Sequence, residues 1–193
     1  MASVSIRLLA HQMKEMAAPI YAVQTAAYRQ EAVLLGVRAF PPLDRTVQDV
    51  TASSDVFFGA FDGEELLGVI SLEQQSANEV LISSLTVAPS YQRRGVARAL
   101  IVAVAGQTVC SKISVSTTTK NHPALALYKQ LGFGERQRRS VGSEPLEIVE
   151  LSAKRSNISV NADARERAFA EDRVNQQRRA GTRHLASRGR RLP

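Results

Sequence analysis

The sequence predicts one domain of the α/β (α+β) class, in which a mixed, mostly antiparallel central sheet is flanked by helices. Three observations predict this class. Apolar residues recur at helical spacing over residues 12–37. Extended segments joined by tight turns follow between residues 57 and 87. Two strand and helix units, over 80–104 and 112–131, then predict two crossover connections in the same sheet.

The N-terminal elements follow from local patterns. Residues 4–9 alternate apolar and polar side chains, which predicts a strand. Residues 12–37 predict two helices or one bent pair, because Pro19 suits the first turn of a second helix and Gly36 interrupts the pattern. The proline-containing residues 40–43 predict a loop, and residues 46–53 predict a short helix.

A meander and two crossovers account for the rest of the domain. Asp62-Gly63 suits the positive-φ positions of a hairpin turn between strands at 57–61 and 66–72. A second turn at residues 74–78 leads into an apolar strand at 80–87. The remaining predicted elements are a helix at 97–104, a strand at 112–117, a helix at 123–131 ended by Gly132, and two strands separated by residues 142–145.

Charge divides the chain into two parts. Residues 1–152 contain 14 basic and 14 acidic residues, whereas residues 153–193 contain 11 and 4, so the second part holds the whole net charge of +7. We therefore expect a domain over 1–152 and a basic tail over 153–193. Residues 163–179 of this tail predict a marginal polar helix, and we expect the Arg-rich end after them to be disordered.

Composition also narrows the compartment and the chemistry. The sequence lacks an apolar run long enough for a membrane span and a basic-then-apolar leader, which predicts a cytoplasmic protein without membrane partners. Cys110 is the one cysteine, so it predicts a buried thiol rather than a disulfide. The spacing of cysteine and histidine residues predicts no metal site.

A basic loop between the strand at 80–87 and the following helix carries the first functional signal. The N–H groups at the start of a helix lack intrahelical acceptors and lie at the positive end of the helix dipole. Arg93, Arg94 and Arg98 add full positive charges beside them. This combination predicts that the loop binds a phosphate or pyrophosphate.

Two segments carry a resemblance to a known family. Residues 92–97, Q-R-R-G-V-A, resemble the Q/R-x-x-G-x-G/A loop of the GCN5-related N-acetyltransferases (GNAT). Residues 121–133, N-H-P-A-L-A-L-Y-K-Q-L-G-F, resemble the family segment N-x-x-A-x-x-L-Y-x-x-L-G-F. The resemblance covers roughly residues 4–151 and implies the GNAT fold and acetyl-coenzyme A (acetyl-CoA) as acyl donor, without a metal.

The resemblance also implies roles for individual residues. The backbone around Leu85 to Val87 would polarise the thioester carbonyl and pair with the pantetheine arm, and Tyr128 would protonate the departing sulfur. Tyr128 has the alternative role of packing against the sheet, and Asn121 has the alternative role of capping the helix that begins near Pro123. The implied cofactor-binding residues are Leu85, Thr86, Val87, Gln92, Arg93, Arg94, Gly95, Val96, Ala97, Arg98, Asn121, Ala124 and Tyr128.

The general base is the point at which the sequence departs from the family. Leu81 occupies the strand position at which members commonly place a glutamate. Strict alternation puts Glu79, Leu81, Ser83 and Leu85 on one face, so Glu79 is a candidate base acting directly or through water, or an exposed turn residue. Further candidates for the base are Glu73, Glu31 and His122.

Two functions remain open at this stage. The first is direct transfer of acetyl from acetyl-CoA to a primary amine of a small molecule or peptide, with Tyr28, Arg29, Glu31 and residues 40–44 at the acceptor entrance. The second is a catalytically weak acyl-CoA-binding protein whose basic tail engages nucleic acid or another acidic partner. Family habit also makes a homodimer plausible.

Overall fold

The computed structural model describes residues 4–141 and 146–158. Within these residues seven strands form one sheet, α-helices flank it, and single 3₁₀ turns lie at Pro41–Leu43 and Pro89–Tyr91. In chain order the elements are β1 (Ser5–Leu8), α1 (Lys14–Leu35), α2 (Val47–Thr51), β2 (Val56–Asp62), β3 (Glu65–Ser76), β4 (Glu79–Val87), α3 (Val96–Gln107), β5 (Lys112–Thr118), α4 (His122–Gln130), β6 (Gly134–Val141) and β7 (Leu146–Lys154).

The sheet has the strand order β1-β2-β3-β4-β5-β7-β6, and every adjacent pair is antiparallel except β4 and β5. This confirms the predicted mixed, mostly antiparallel class. The parallel pairing of β4 with β5 runs only from Glu79 opposite Lys112 to Ile82 opposite Val115. Beyond Ile82, β4 continues to Val87 without β5 alongside it, so the two strands splay apart in the middle of the sheet.

The N-terminal helix differs from the prediction, because α1 is one continuous helix of 22 residues. Pro19 lies inside it and removes only the backbone bond that residue 19 would donate to Glu15 in the first turns. Apolar residues keep helical spacing through this point, since Ala17, Ile20 and Val23 are all buried. The packing of that face therefore outweighs one missing hydrogen bond.

Apolar side chains fill a layer on each face of the sheet. On one face α1 and α2 cover Phe57 and Val69, and on the other α3 and α4 cover Phe58 and Ile70. Adjacent residues on β2 and β3 thus point to opposite layers, as the pleat of a strand requires. Cys110 is buried in the second layer, in agreement with its predicted structural role.

Buried structure continues past residue 152, the predicted end of the domain. β7 continues through Lys154, Ala153 is buried against the core, and Ile158 is fully buried in the following helical residues. These apolar side chains extend the domain into the segment that was predicted to be tail. The predicted polar helix and disordered end fall within residues 159–193, which lie outside the described residues.

Over residues 4–141 and 146–158, none of the helices has the length and apolar character required to cross a bilayer. The longest of them, α1, has 22 residues and carries both charged and polar side chains along its length.

Candidate active site

A β-bulge on β4 marks the point at which β4 and β5 separate. Ser71 of β3 pairs with Ser84, whereas the next residue, Leu72, pairs with Ile82, so Ser83 is the extra residue. After this bulge the direction of the side chains changes. The Oγ atom of Ser84 therefore faces α1, and Leu85 packs on the opposite layer.

The bulge corrects the prediction that alternation continues unbroken from Glu79 to Leu85. A bulge supplies two residues where the partner strand supplies one, so period two fails across it. Leu85 consequently leaves the face that Ser83 shares with Ser71, whose Oγ atoms lie 2.7 Å apart.

The splayed end of β4 opens into a cleft of about 820 Å³. Its walls come from the end of α1, the β4 end, the loop before α3 and helix α4. It brings together all but one of the residues that the family resemblance implies. The predicted residues that line it are Leu85, Thr86, Val87, Gln92, Arg93, Gly95, Val96, Ala97, Arg98, Asn121, Ala124 and Tyr128. Arg94 instead lies over the ring of Tyr91, with its guanidinium carbon 5.3 Å from the ring centroid.

Backbone geometry at the start of α3 suits an anion. Gly95 is the N-cap residue with φ +85°, and Arg93 has φ +62°, so two left-handed residues bend the loop around the helix end. The first backbone bond of the helix runs from Ala99 N to Gly95 O at 2.9 Å. The N–H groups of residues 96–98 precede this ladder and lie at the positive end of the dipole. The loop thus has the backbone geometry that the prediction requires, and phosphate binding itself stays a prediction.

Two amide side chains link α1 to the loop before α3 and to the start of α4. Gln92 donates to Gln30 Oε1 at 2.7 Å and to the Val87 carbonyl at 3.2 Å. Asn121 donates from Nδ2 to Glu31 Oε1 at 2.9 Å, and its Oδ1 accepts from the Ala124 N–H at 3.2 Å. The predicted capping role of Asn121 is thus observed, while its contact with a cofactor stays a prediction.

Tyr128 is held on α4 at the inner wall of the cleft. Its side chain is only 4% exposed and packs against Phe133 with ring centroids 5.4 Å apart. Burial, followed by the charges of Glu31 and Tyr28, raises the pKa of its phenol. The hydroxyl therefore stays protonated at neutral pH, which a proton donor requires.

The structure places Glu79 away from this cleft. Glu79 begins β4, about 20 Å along the strand from Leu85 at the usual rise per residue. It forms a 2.8 Å ion pair with Lys112 and lines a separate polar cavity together with Leu81. The hydrogen bond from Lys112 is the main reason that the pKa of Glu79 is lowered. Glu79 is thus not brought together with Tyr128, whereas Glu31 is.

Sequence reasoning missed a polar contact between α1 and β4, next to the cleft residue Leu85. Ser84 Oγ lies 2.7 Å from the Tyr28 hydroxyl and accepts from Gln24 Nε2 at 3.2 Å. Tyr28 was predicted at the acceptor entrance, whereas Gln24 and Ser84 were not predicted as site residues. The two residues on α1, Gln24 and Tyr28, had a signal in the sequence. Gln24, Tyr28 and Glu31 follow one another at helical spacing on the stripe that begins with the buried Ile20.

Gly68 of β3 allows the β4 end to lie close to α3. A Cβ atom at this position would lie 2.9 Å from the Thr86 carbonyl oxygen and 3.1 Å from side-chain atoms of Val87 and Val96. These are residues of the cleft wall, so any shift that relieves the contact moves the site.

We therefore expect Gly68→Ala to lower the free energy of unfolding by about 1–3 kcal/mol, the usual cost of overpacking. Denaturant titration with and without acetyl-CoA measures both stability and binding, and we expect both to weaken. Gly106→Ala is the matched control, because its Cβ meets open space on the helix α3. Equal stability of Gly68→Ala and the unmodified protein would contradict this account.

The residues 4–141 and 146–158 contain no group of three or more His, Cys, Asp or Glu side chains arranged to hold a metal ion.

The fold is that of an acetyltransferase. It combines a splayed parallel strand pair with a helix that begins after a glycine and a buried tyrosine that lines the same cleft. The chain belongs to the acetyltransferase (GNAT) family, whose sequence model matches residues 16–133. It is also 37% identical over 129 residues to the UPF0157 protein YqkA of Bacillus subtilis (strain 168). The aligned residues make up 66% of this chain and 37% of that protein. The chain thus spans well under half the length of this relative.

Solved structures of N-acetyltransferases share the fold. The ribosomal-protein-S18-alanine N-acetyltransferase of Escherichia coli matches with TM-score 0.60 and 19% identity, over 79% of this chain and 94% of that one. A spermidine N-acetyltransferase SpeG chimera from Vibrio cholerae and hSSAT matches with TM-score 0.62 and 16% identity, over 80% and 97%. The paia N-acetyltransferase of Thermoplasma acidophilum, in complex with coenzyme A, matches with TM-score 0.60 and 15% identity, over 79% and 99%.

Proposed function

We propose that this protein is an acetyl-CoA-dependent N-acetyltransferase that moves an acetyl group directly to a primary amine of a small molecule or peptide. The observation that carries the proposal is the single cleft that joins the β4 end, the start of α3 and Tyr128. Family membership supports acetyl transfer, and the structural neighbours that act on a ribosomal protein and on spermidine support an amine acceptor.

The cleft fits the acyl donor in two chemically different parts. At one end the N–H groups of residues 96–98 and the side chains of Arg93 and Arg98 suit the pyrophosphate. At the other end β4 residues 83–87 run beside an opened sheet, so their backbone suits an extended pantetheine arm. When bound, acetyl-CoA supplies a thioester whose acyl carbon accepts the amine.

The chain's own residues have distinct tasks in the proposed reaction. Backbone N–H groups around Leu85 to Val87 stabilise negative charge that develops on the carbonyl oxygen. The Tyr128 hydroxyl gives its proton to the departing sulfur. Asn121 and Ala124 border the cleft between these groups and fix the start of α4. Direct transfer needs no nucleophilic side chain, and the buried Cys110 is not among the residues that line the cleft.

The acceptor entrance is proposed at the end of α1 and the turn after it. Tyr28 contacts Phe40 edge to face, with centroids 5.9 Å apart, which joins α1 to the Pro41–Leu43 turn. Arg29 and Asp44 flank this junction in sequence. The names of two neighbours support testing both peptide N-termini and polyamines as acceptors.

A coenzyme A release assay tests the proposal across polyamines, amino acids, aminoglycosides and short peptides. Release is followed with a thiol reagent, and the 2% exposure of Cys110 keeps the protein's own signal small. Acetylated product is identified by mass spectrometry, and a reaction without amine measures hydrolysis. The proposal fails if none of these amines accelerates release, whether or not acetyl-CoA raises the unfolding temperature.

A further inference from the structure

Helix α1 turns from apolar to polar along the face that it presents to the sheet. Ile20 and Val23 are buried in the core, whereas Gln24, Tyr28 and Glu31 continue the same stripe. The change occurs where α1 meets the β4 bulge, since Gln24 and Tyr28 both bind Ser84 Oγ. Burying a polar group on the inner face of a helix costs stability unless the group is hydrogen-bonded, so a run of such residues there indicates a functional role.

Glu31 is the carboxylate of this stripe and lies in the proposed acetyl-transfer cleft. Its Oε1 accepts from Asn121 Nδ2 at 2.9 Å, and Asn121 is itself fixed by the N–H of Ala124. The carboxylate therefore has a defined orientation on the α1 wall of the cleft, which Tyr128 lines from α4. No ion pair to Glu31 is present among residues 4–141 and 146–158, in contrast to Glu79 with Lys112.

The surroundings of Glu31 suit proton transfer. Burial raises the pKa of Glu31, and the hydrogen bond from Asn121 opposes this rise in part. The negative charge of Glu31 adds to the rise in pKa that burial causes in the two nearby phenols, Tyr28 on α1 and Tyr128 on α4. Arg93 and Arg98 line the same cleft from the α3 side. A carboxylate with a raised pKa is a stronger base than an exposed one.

We propose that Glu31 is the catalytic residue that takes the proton of the acceptor amine, and that Asn121 is its positioning residue. The inference rests on the proposed acetyl transfer. The base would then lie on the first helix, opposite the strand β4 on which Leu81 replaces the glutamate common in the family.

The proton balance of this step closes within the cleft. The amine nitrogen forms a bond to the acyl carbon, and one N–H proton passes to the Glu31 carboxylate. The bond between the acyl carbon and sulfur breaks, and the sulfur takes the proton of the Tyr128 hydroxyl. Glu31 has then gained one proton and Tyr128 has lost one, so transfer between them or through water restores both groups.

Glu31→Gln tests the proposal, because glutamine keeps the volume and an oxygen that accepts from Asn121 but cannot take a proton. We expect kcat to fall by about 10²-fold or more, with the KM for acetyl-CoA unchanged. In the unmodified protein kcat falls as the pH drops through the raised pKa of Glu31, and this acidic limb disappears in the variant. Glu15→Gln, an exposed carboxylate on the same helix, is the matched control.

A second readout does not depend on turnover. The folded state favours the protonated form of a carboxyl with a raised pKa, so ionised Glu31 lowers the free energy of unfolding above that pKa. Glu31→Gln therefore raises the unfolding temperature at neutral pH, and the gain vanishes below about pH 4, where both states are protonated. A glutamate whose ionised form stabilises the fold would give the opposite change, and that result would contradict the role of Glu31 as a base with a raised pKa.

The outcomes separate the two proposals. An active unmodified protein whose Glu31→Gln variant keeps its kcat and its acidic limb overturns the role of Glu31 and leaves acetyl transfer standing. A raised KM for the amine with kcat unchanged also overturns it, because Glu31 then only holds the ammonium group. An unmodified protein that binds acetyl-CoA but acetylates no amine in the panel overturns both proposals.

Discussion

Gly95→Glu is expected to weaken acetyl-CoA binding by at least about a hundredfold, or roughly 3 kcal/mol, while the protein still folds. Gly95 has φ +85° at the N-cap of α3, and a Cβ atom there would meet no heavy atom within 4 Å. The Cβ atom of a glutamate therefore causes no clash, but its carboxylate is an anion at a helix N-terminus. It competes for the N–H groups that we assign to the pyrophosphate and repels the donor.

Two further variants separate charge from backbone strain. Gly95→Ala retains only the cost of a left-handed residue with a Cβ, about 1–2 kcal/mol of folding stability, and should still bind. Gly106→Glu introduces the same carboxylate on the same helix, in open space outside the cleft, and should bind normally. Calorimetric titration with acetyl-CoA distinguishes these cases. Binding by Gly95→Glu equal to that of Gly106→Glu would remove the α3 N-terminus from the proposed site.

Local signals in the sequence predicted most element boundaries. The Asp62-Gly63 hairpin turn forms with Gly63 at φ +59°, and Gly36 and Gly132 follow α1 and α4 with φ values of +68° and +86°. In each case the sterics of a single residue decide the conformation, so neighbouring sequence suffices. Pro19 shows the limit of this reasoning, because its effect on α1 depends on how firmly the helix packs against the sheet.

The β4 bulge lies beyond such local signals. It arises from the register between β3 and β4, where Ser71 pairs with Ser84 and Leu72 pairs with Ile82. Strict alternation along β4 alone cannot reveal which residue is left over, since register depends on both strands. The bulge redirects Ser84 toward α1 and so determines which side chains meet at the splayed end.

Spacing along one strand also could not identify the carboxylate that reaches the cleft. Glu79 is near the family position in sequence, but its cross-strand neighbour Lys112 holds it at the far end of β4. Glu31 lies 90 residues before Asn121 in the chain, and only the packing of α1 over the sheet brings them into contact. The turn at the start of α3 was predictable because all of its parts are consecutive residues, and its anion binding stays a prediction.

Tyr128→Phe is expected to reduce kcat by about a hundredfold or more while the fold and acetyl-CoA binding persist. Phenylalanine keeps the packing of the ring against Phe133 and removes only the hydroxyl. Because burial raises the pKa of Tyr128 above its ordinary value, the phenol remains protonated between about pH 6 and 9. The loss should therefore be uniform across that range, unlike the loss for Glu31→Gln, which changes the shape of the profile.

Tyr21→Phe is the control for Tyr128→Phe, because Tyr21 packs against the α1 layer and does not line the cleft. We expect it to leave kcat unchanged. If Tyr128→Phe keeps the full kcat, the tyrosine only fills the sheet face and the sulfur receives its proton from solvent. If it instead raises the KM for acetyl-CoA at constant kcat, the hydroxyl binds the donor equally before and during the reaction. A proton donor is distinguished from both because its loss lowers kcat and kcat/KM together at every pH measured.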